Sequence, residues 1–156
     1  MMAMVGPHKE ILNEKELIEV RKNGGKIIQI FVSYSTSSSK LLYDLRKIHD
    51  LINKTELRIV VHSNYRINLA GPWTPDSWHV KLLIEEVKWS SMIGSFGVVV
   101  HIGARKEQTI EDAQNNFISS ILHVLKITES SPSNILLETP AGQGTVIEYS
   151  LEGLAK

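Results

Sequence analysis

Short apolar runs alternate with longer amphipathic segments along the chain. The apolar runs are rich in β-branched and aromatic residues, which is typical of buried strands. Between them, apolar residues recur at spacings of three and four, the pattern of a helix packed along one face. Strands are predicted from Lys26 to Val32, Leu57 to His62, Phe96 to His101 and Asn134 to Glu138, with a shorter one at Met4–Gly6. Helices are predicted at 14–22, 40–52, 76–92 and 110–125, with the start of another near Val146.

This alternation of strands and helices indicates an α/β protein with a mainly parallel sheet. The continuous apolar strands agree, because both faces of such a sheet are normally covered. Five strands can form a small doubly wound sheet or slightly more than half of an eight-stranded barrel, and periodicity alone does not choose between them. No linker-like stretch interrupts the chain, so residues 1–156 are expected to form a single domain.

The composition narrows the classes of protein to be considered. Apolar residues make up 42% and charged residues 22%, as in ordinary globular proteins. Cysteine is absent, which excludes disulfides and thiolate metal sites. Seventeen basic residues balance seventeen acidic ones. This neutral balance counts against a protein that holds nucleic acid through its own positive charge, but not against a DNA enzyme that carries metal ions.

Neither a membrane-spanning segment nor a secretion signal is visible in the sequence. No apolar run approaches the roughly 20 residues needed to cross a bilayer. The first ten residues, MMAMVGPHKE, lack the apolar core of a signal peptide. We therefore expect a soluble, intracellular protein with no membrane partner.

Three successive predicted strands finish in a residue type that binds metal ions. They end IVVH at His62, VVVH at His101 and ILLE at Glu138. In a barrel of parallel strands the carboxyl ends form the floor of the active site, and neighbouring strands lie only about 4.8 Å apart. Two imidazoles and one carboxylate can then make an open zinc site that leaves a position for water or substrate. The pattern favours part, some four and a half βα units, of a (β/α)₈ TIM-type barrel.

Alternation along the strands gives a further expectation. Val60 should share the barrel-facing side with His62, and Val99 should share it with His101. The first predicted strand is also followed by a histidine, His8. The remaining histidines lie in or near helix patterns and are expected at the surface or at element boundaries: His49, His79 and His123.

The segments around the strand ends resemble the endonuclease IV family of apurinic/apyrimidinic endonucleases, which are barrels of the xylose isomerase-like type. The order and spacing of the segments agree with the family, and the resemblance covers essentially the whole chain, as the N-terminal half of the family's barrel. The matching segments are MVGPH at 4–8, HSNYRINLAGP at 62–72, VVVHIGAR at 98–105 and LLETPAGQGT at 136–145.

The resemblance implies a role for each matching residue. His62 and His101 would bind one zinc ion, and Glu138 would bind it too and bridge it to a second. Tyr65 would approach the DNA at the abasic site. A full-length family barrel holds up to three Zn²⁺, so this chain would supply one complete site and part of a second. The turn Ala141–Gly144 would shape the loop beside the metals.

The implied activity is that of a zinc-dependent endonuclease of DNA base-excision repair. Such an enzyme hydrolyses the phosphodiester 5′ to an abasic site, and Glu138 would be its central catalytic residue; DNA containing abasic sites would be its partner. Half a barrel leaves open sheet edges and an exposed apolar interior, so we expect self-association or docking of a C-terminal half. Two alternatives remain: a catalytically silent half-barrel that acts as a binding or assembly element, and a related metal-dependent sugar isomerase or epimerase.

Overall fold

A parallel sheet with helices packed on one side forms the framework of the molecule. The computed structural model describes residues 8–9, 14–32, 38–139, 144–147 and 152. The five strands of this described part pair in the order β1-β2-β3-β4-β5, all parallel. In chain order the elements are β1 (His8–Lys9), α1 (Glu14–Lys22), β2 (Ile27–Phe31), α2 (Ser38–Thr55), β3 (Arg58–His62), α3 (Trp78–Met92), β4 (Gly97–His101), α4 (Ile110–Ile127) and β5 (Asn134–Glu138).

The strand order decides the architecture that periodicity left open. A doubly wound sheet reverses its strand order at a switch point, whereas each strand here pairs with the next one in the chain. Successive right-handed crossovers then place all the helices on the same side of the sheet, as in a barrel. The prediction of an α/β partial barrel is therefore confirmed.

The element boundaries follow local signals, with one exception. Helix α1 ends where Gly24 adopts a φ of +83° and the Gly25 amide donates to the Val20 carbonyl, a glycine stop of the expected kind. The helix expected to start near Val146 does not include that residue, which forms an antiparallel bridge with Ala104, but Glu152 further along the chain is helical. The predicted strand at 4–6 lies outside the described residues.

Burial alternates along the strands and distinguishes the two faces of the sheet. In β2, Ile28 and Ile30 are buried against the helices, whereas Ile27, Gln29 and Phe31 are only half-buried. In β4, Val98 and Val100 are fully buried, whereas Val99 and His101 are partly exposed. Val99 thus shares its side with His101, as predicted. The helix-covered face holds the main core, and the other face corresponds to a barrel interior.

The strand register determines which side chains lie beside one another at the carboxyl end of the sheet. Phe31 is level with His62, and His101 is level with Glu138. Between β3 and β4, however, His62 is level with Val99, so His101 lies two residues further along. Such a stagger is what tilts the strands of a closed barrel. None of the helices in the described part of the chain is long and apolar enough to cross a membrane.

Candidate metal centre

His62, His101 and Glu138 meet at the carboxyl end of the sheet. One carboxylate oxygen, Glu138 Oε2, lies 3.2 Å from His62 Nε2 and 3.7 Å from His101 Nε2. The three side chains each offer a ligand atom, and these atoms lie within 4.8 Å of one another. His62 is buried, His101 is partly exposed and Glu138 is exposed. The strands therefore bring together the three residues that sequence reasoning selected as metal ligands.

The orientation of His62 is determined by its own backbone. Its Nδ1 lies 2.7 Å from the carbonyl oxygen of Ser63. A carbonyl only accepts hydrogen bonds, so Nδ1 donates, and in the neutral ring Nε2 keeps its lone pair. That lone pair faces the carboxylate oxygen of Glu138, another acceptor. Two acceptors at this distance repel each other unless a proton or a cation lies between them, so the arrangement suits a bound cation.

The donor set fits a zinc ion in both chemistry and spacing. Bonds of about 2.1 Å in tetrahedral geometry place ligand atoms roughly 3.4 Å apart. The observed separations of 3.2 and 3.7 Å bracket that value. Two imidazole nitrogens and a carboxylate oxygen also suit manganese, iron or cobalt. Among the described residues, this is the group of histidine and acidic side chains whose spacing could hold a metal.

Tyr65 stands beside the two imidazoles. Its ring centroid lies 4.9 Å from that of His62 and 5.9 Å from that of His101. Phe31 supports the group from β2, with ring centroids 5.2 Å from His62 and 5.1 Å from Tyr65. Tyr65 is nonetheless 67% exposed, so it can contact a ligand above the cluster. Sequence reasoning missed Phe31; its signal is its position at the end of the strand next to β3.

A cavity of about 610 Å³ opens beside His101 and carries two cations and two aromatic rings. The guanidinium carbon of Arg66 lies 5.6 Å from the centroid of the Trp78 ring, a cation–π contact. Trp78 is 53% exposed. Lys106 lines the same cavity. Sequence reasoning also missed these three residues, because they lie in loops or at a helix start where no periodicity marks them.

The loops that follow β3 and β4 are joined by the side chain of Asn68. Its amide nitrogen donates to the carbonyl of Ala104 at 3.0 Å, and its amide oxygen accepts from the Ala104 N–H at 2.9 Å. Gly103 precedes this pair with a φ of +96°, and a Cβ there would lie 2.3 Å from the Asn68 amide oxygen. The close approach requires glycine. The junction holds the loop after His62 against the loop after His101.

The other histidines are distributed over the helices, as predicted. His49 on α2 is exposed and contacts Asn53. His123 on α4 packs its ring against Trp73, with centroids 5.3 Å apart. His79 on α3 is half-buried, and burial lowers its pKa below the usual value. The side chain of His8 and the turn residues 140–143 lie outside the described part of the chain.

Comparisons with known proteins agree with this geometry. The sequence model of a family described as xylose isomerase-like TIM barrel matches residues 17–156. A protein of Staphylococcus aureus (strain Newman) described as probable endonuclease 4 is 31% identical over 163 residues, which cover 98% of this chain and 54% of that relative. The chain thus spans about half the length of the curated relatives it matches.

Solved structures show the same fold. Endonuclease IV from Thermus thermophilus superposes with a TM-score of 0.70 at 22% identity, over 97% of this chain and 58% of that one. D-psicose 3-epimerase from Clostridium cellulolyticum H10, solved with D-tagatose, superposes with a TM-score of 0.64 at 15% identity, over 86% of this chain and 52% of that one. The fold alone is therefore shared with proteins of different activities.

Proposed function

The chain belongs to the xylose isomerase-like TIM barrel family, and on that premise we propose that it carries the first metal site of a zinc-dependent apurinic/apyrimidinic endonuclease. In this proposal the substrate is DNA, and the bond hydrolysed is the phosphodiester 5′ to an abasic site. The observation that carries the proposal is the convergence of His62, His101 and Glu138 in a sequence related to a probable endonuclease 4.

Each residue of the cluster has a defined task in this proposal. Zinc bound there would lower the pKa of a water molecule and neutralise charge on a phosphodiester oxygen. His62 offers Nε2 because its Nδ1 proton is held by the Ser63 carbonyl. Glu138 places one oxygen against both imidazoles, and its side chain is 44% exposed. That exposure leaves the carboxylate accessible to a second ion, which is the bridging role we assign to it.

The cavity beside His101 favours a nucleic acid strand over a small sugar. Arg66 and Lys106 supply positive charge for phosphates, and Tyr65 and Trp78 supply exposed ring faces on which bases or deoxyriboses can stack. A neutral ketose carries no negative charge to pair with Arg66 and Lys106. This local concentration of cations matters because the chain as a whole has a formal charge of zero.

The first test is the metal content of the purified protein, measured by mass spectrometry for the wild type and for Glu138→Ala. We expect about one zinc per chain in the wild type, from a single complete site, and its loss in the variant. Glu129→Ala, which removes an exposed carboxylate just beyond α4, is the matched control and should keep its zinc. Equal zinc in wild type and Glu138→Ala would overturn the metal site.

The second test is substrate choice. The wild-type chain should bind a duplex oligonucleotide containing one abasic site more tightly than the same duplex with an intact nucleotide, and cleavage should occur only 5′ to the lesion. Glu138→Ala should lose cleavage and retain measurable binding. Conversion of a ketose, or zinc binding with no preference for abasic DNA, would reject the endonuclease proposal in favour of a sugar isomerase or a silent binding element respectively.

A further inference from the structure

A buried carboxylate lies behind the metal centre, on the helix side of the sheet. Glu86 belongs to α3 and is 0% exposed. Its neighbours on the same face of the helix are apolar core residues, including Leu83 and Val87. Burying a carboxylate costs on the order of several kcal/mol unless hydrogen bonds compensate. A carboxyl group at this position therefore needs hydrogen-bond partners.

Glu86 accepts a hydrogen bond from the loop that follows β3. Its two carboxylate oxygens lie 3.1 and 3.4 Å from the backbone nitrogen of Asn64. That N–H belongs to the same peptide unit as the Ser63 carbonyl, which accepts from His62 Nδ1 at 2.7 Å. The peptide unit is planar and rigid, so a bond that fixes its N–H also fixes the direction of its C=O. Hydrogen bonds therefore connect Glu86, the Ser63–Asn64 peptide unit and the His62 ring in one continuous chain.

The other side of this loop is also held. The Ser63 N–H donates to the Val99 carbonyl at 2.8 Å, which continues the β3–β4 pairing by one residue. Ser63 itself is buried. Rotation of the Ser63–Asn64 peptide would turn its carbonyl away from His62 and leave Nδ1 without this acceptor. The tautomer with the proton on Nε2 would then be free to form, and that tautomer has no lone pair on Nε2 to offer a metal ion.

We propose that Glu86 is a positioning residue of the metal centre, which holds the Ser63–Asn64 peptide so that His62 keeps its proton on Nδ1 and presents Nε2 to a divalent cation. Metal-binding histidines commonly donate their second ring N–H directly to a carboxylate or to a backbone carbonyl. Here His62 Nδ1 donates to the Ser63 carbonyl, and the Glu86 carboxylate accepts from the N–H at the other end of the same peptide unit. The two hydrogen bonds polarise this peptide unit in the same direction, so each strengthens the other. The inference builds on the metal site proposed above.

The test compares Glu86→Ala, Glu86→Gln and the control Glu85→Ala, which removes the neighbouring carboxylate of the same helix that pairs with Lys88. The first readout is the tautomer of His62 in the metal-free protein, observed by long-range ¹H–¹⁵N NMR at mildly alkaline pH. We expect the Nδ1–H form in the wild type, in Glu85→Ala and in Glu86→Gln, whose amide oxygen still accepts from the Asn64 N–H. In Glu86→Ala we expect a mixture of the two tautomers.

The second readout is zinc affinity, measured by competition with a chromophoric chelator. Glu86→Ala should lose about 10- to 100-fold, the usual cost of removing such a partner. Glu86→Gln should lose less, because the hydrogen bond remains and only the charge is gone. Circular dichroism establishes which variants are folded.

Three outcomes would overturn the inference. The first is a folded Glu86→Ala that keeps both the Nδ1–H tautomer and wild-type affinity. The second is a folded Glu86→Ala that loses affinity while its tautomer stays unchanged. The third, which applies even where the alanine variant does not fold, is a folded Glu86→Gln that loses the tautomer. Because the NMR readout uses neither zinc nor DNA, failure of the proposed endonuclease activity leaves this test of Glu86 intact.

Discussion

His62 is constrained on three sides. It is buried, its Nδ1 is bonded to the Ser63 carbonyl, and its Nε2 faces Glu138. His101 and Glu138 are more exposed, so they keep contact with solvent where a substrate would arrive. This division suits a metal site, because one buried ligand gives a fixed geometry while the open side admits water or a phosphodiester. Near this group, the roles of Tyr65 and Gly103 can each be tested by one substitution.

Tyr65→Ala should weaken the preference for abasic DNA while zinc content stays unchanged. The Tyr65 ring is 67% exposed, and it contacts His62 and His101 only by packing against their rings. Loss of a stacking surface costs about 1–3 kcal/mol of binding. Titration of labelled duplexes, with and without the lesion, measures the change. Tyr65→Phe keeps the ring and should retain the preference; an alanine variant as selective as the wild type would contradict a role in binding the lesion.

Gly103→Ala should destabilise the protein and loosen the junction between the loops. The new Cβ would lie 2.3 Å from the Asn68 amide oxygen, at a φ of +96°. The backbone conformation alone costs about 1–3 kcal/mol in a strained position. Gly24→Ala is the matched control, since its φ is +83° and a Cβ added there would have no atom within 4 Å. Urea unfolding should show a larger loss for Gly103→Ala than for Gly24→Ala; equal losses would mean that the contact with Asn68 is unimportant.

Among the elements, helices α3 and α4 begin in different ways although both follow a strand and a loop. Thr109 caps α4: its hydroxyl accepts from the Asp112 N–H at 3.1 Å and donates to the Asp112 carboxylate at 2.7 Å. Ser77 precedes α3 but makes no such cap; its hydroxyl accepts from the Thr74 N–H at 2.8 Å instead. The start of α4 thus depends on one side chain, whereas the start of α3 depends on a turn that precedes it.

Thr109→Ala should lower the free energy of unfolding by about 1 kcal/mol, the usual cost of losing a threonine cap. The variant leaves an orphan N–H in the first turn of α4 and removes the partner of Asp112. Thr109→Ser retains the hydroxyl and should recover most of the loss. Urea denaturation of the three proteins measures the differences. If the serine and alanine variants were equally unstable, the methyl group rather than the hydroxyl would be responsible.

For the molecule as a whole, the sheet of the described residues ends at β1 on one side and β5 on the other. Large apolar side chains are exposed on β5 and on α4, the helix that precedes it. On α4, Leu122 is 58% and Leu125 45% exposed, and Leu137 on β5 is 42% exposed. Among the described residues no further strand pairs with β5, and such a parallel edge together with exposed leucines is a surface on which chains associate.

The isolated chain should therefore self-associate in a concentration-dependent manner through this edge. Sedimentation velocity over a range of protein concentrations measures the effect. The double variant Leu122→Lys/Leu125→Glu should shift the equilibrium towards monomer, because buried charges oppose association. Ile18→Lys, which replaces a 39% exposed residue on α1 far from β5 in the strand order, should not. A monodisperse wild-type monomer at all concentrations would contradict the prediction.

The sequence by itself determined the order of strands and helices and the residues at the strand ends, because periodicity and chain punctuation are local properties. The predicted first and last residues of α1 and of β5 are those of the structure. The residue types at the strand ends and the family resemblance together selected His62, His101, Glu138 and Tyr65. A local pattern did not locate the start of the helix that contains Glu152, because Val146, near which that start was expected, pairs with Ala104, 42 positions away by the difference of the two numbers.

Only the tertiary structure decided how these pieces act together. The strand order that distinguishes a partial barrel from a doubly wound sheet depends on pairing between strands. The direction of His62 depends on a peptide bond whose N–H is held by Glu86, a residue of the next helix. The cavity with Arg66, Trp78 and Lys106 joins two loops and a helix start. Such contacts join residues distant in the chain, and no periodic pattern records them; packing alone brings them together.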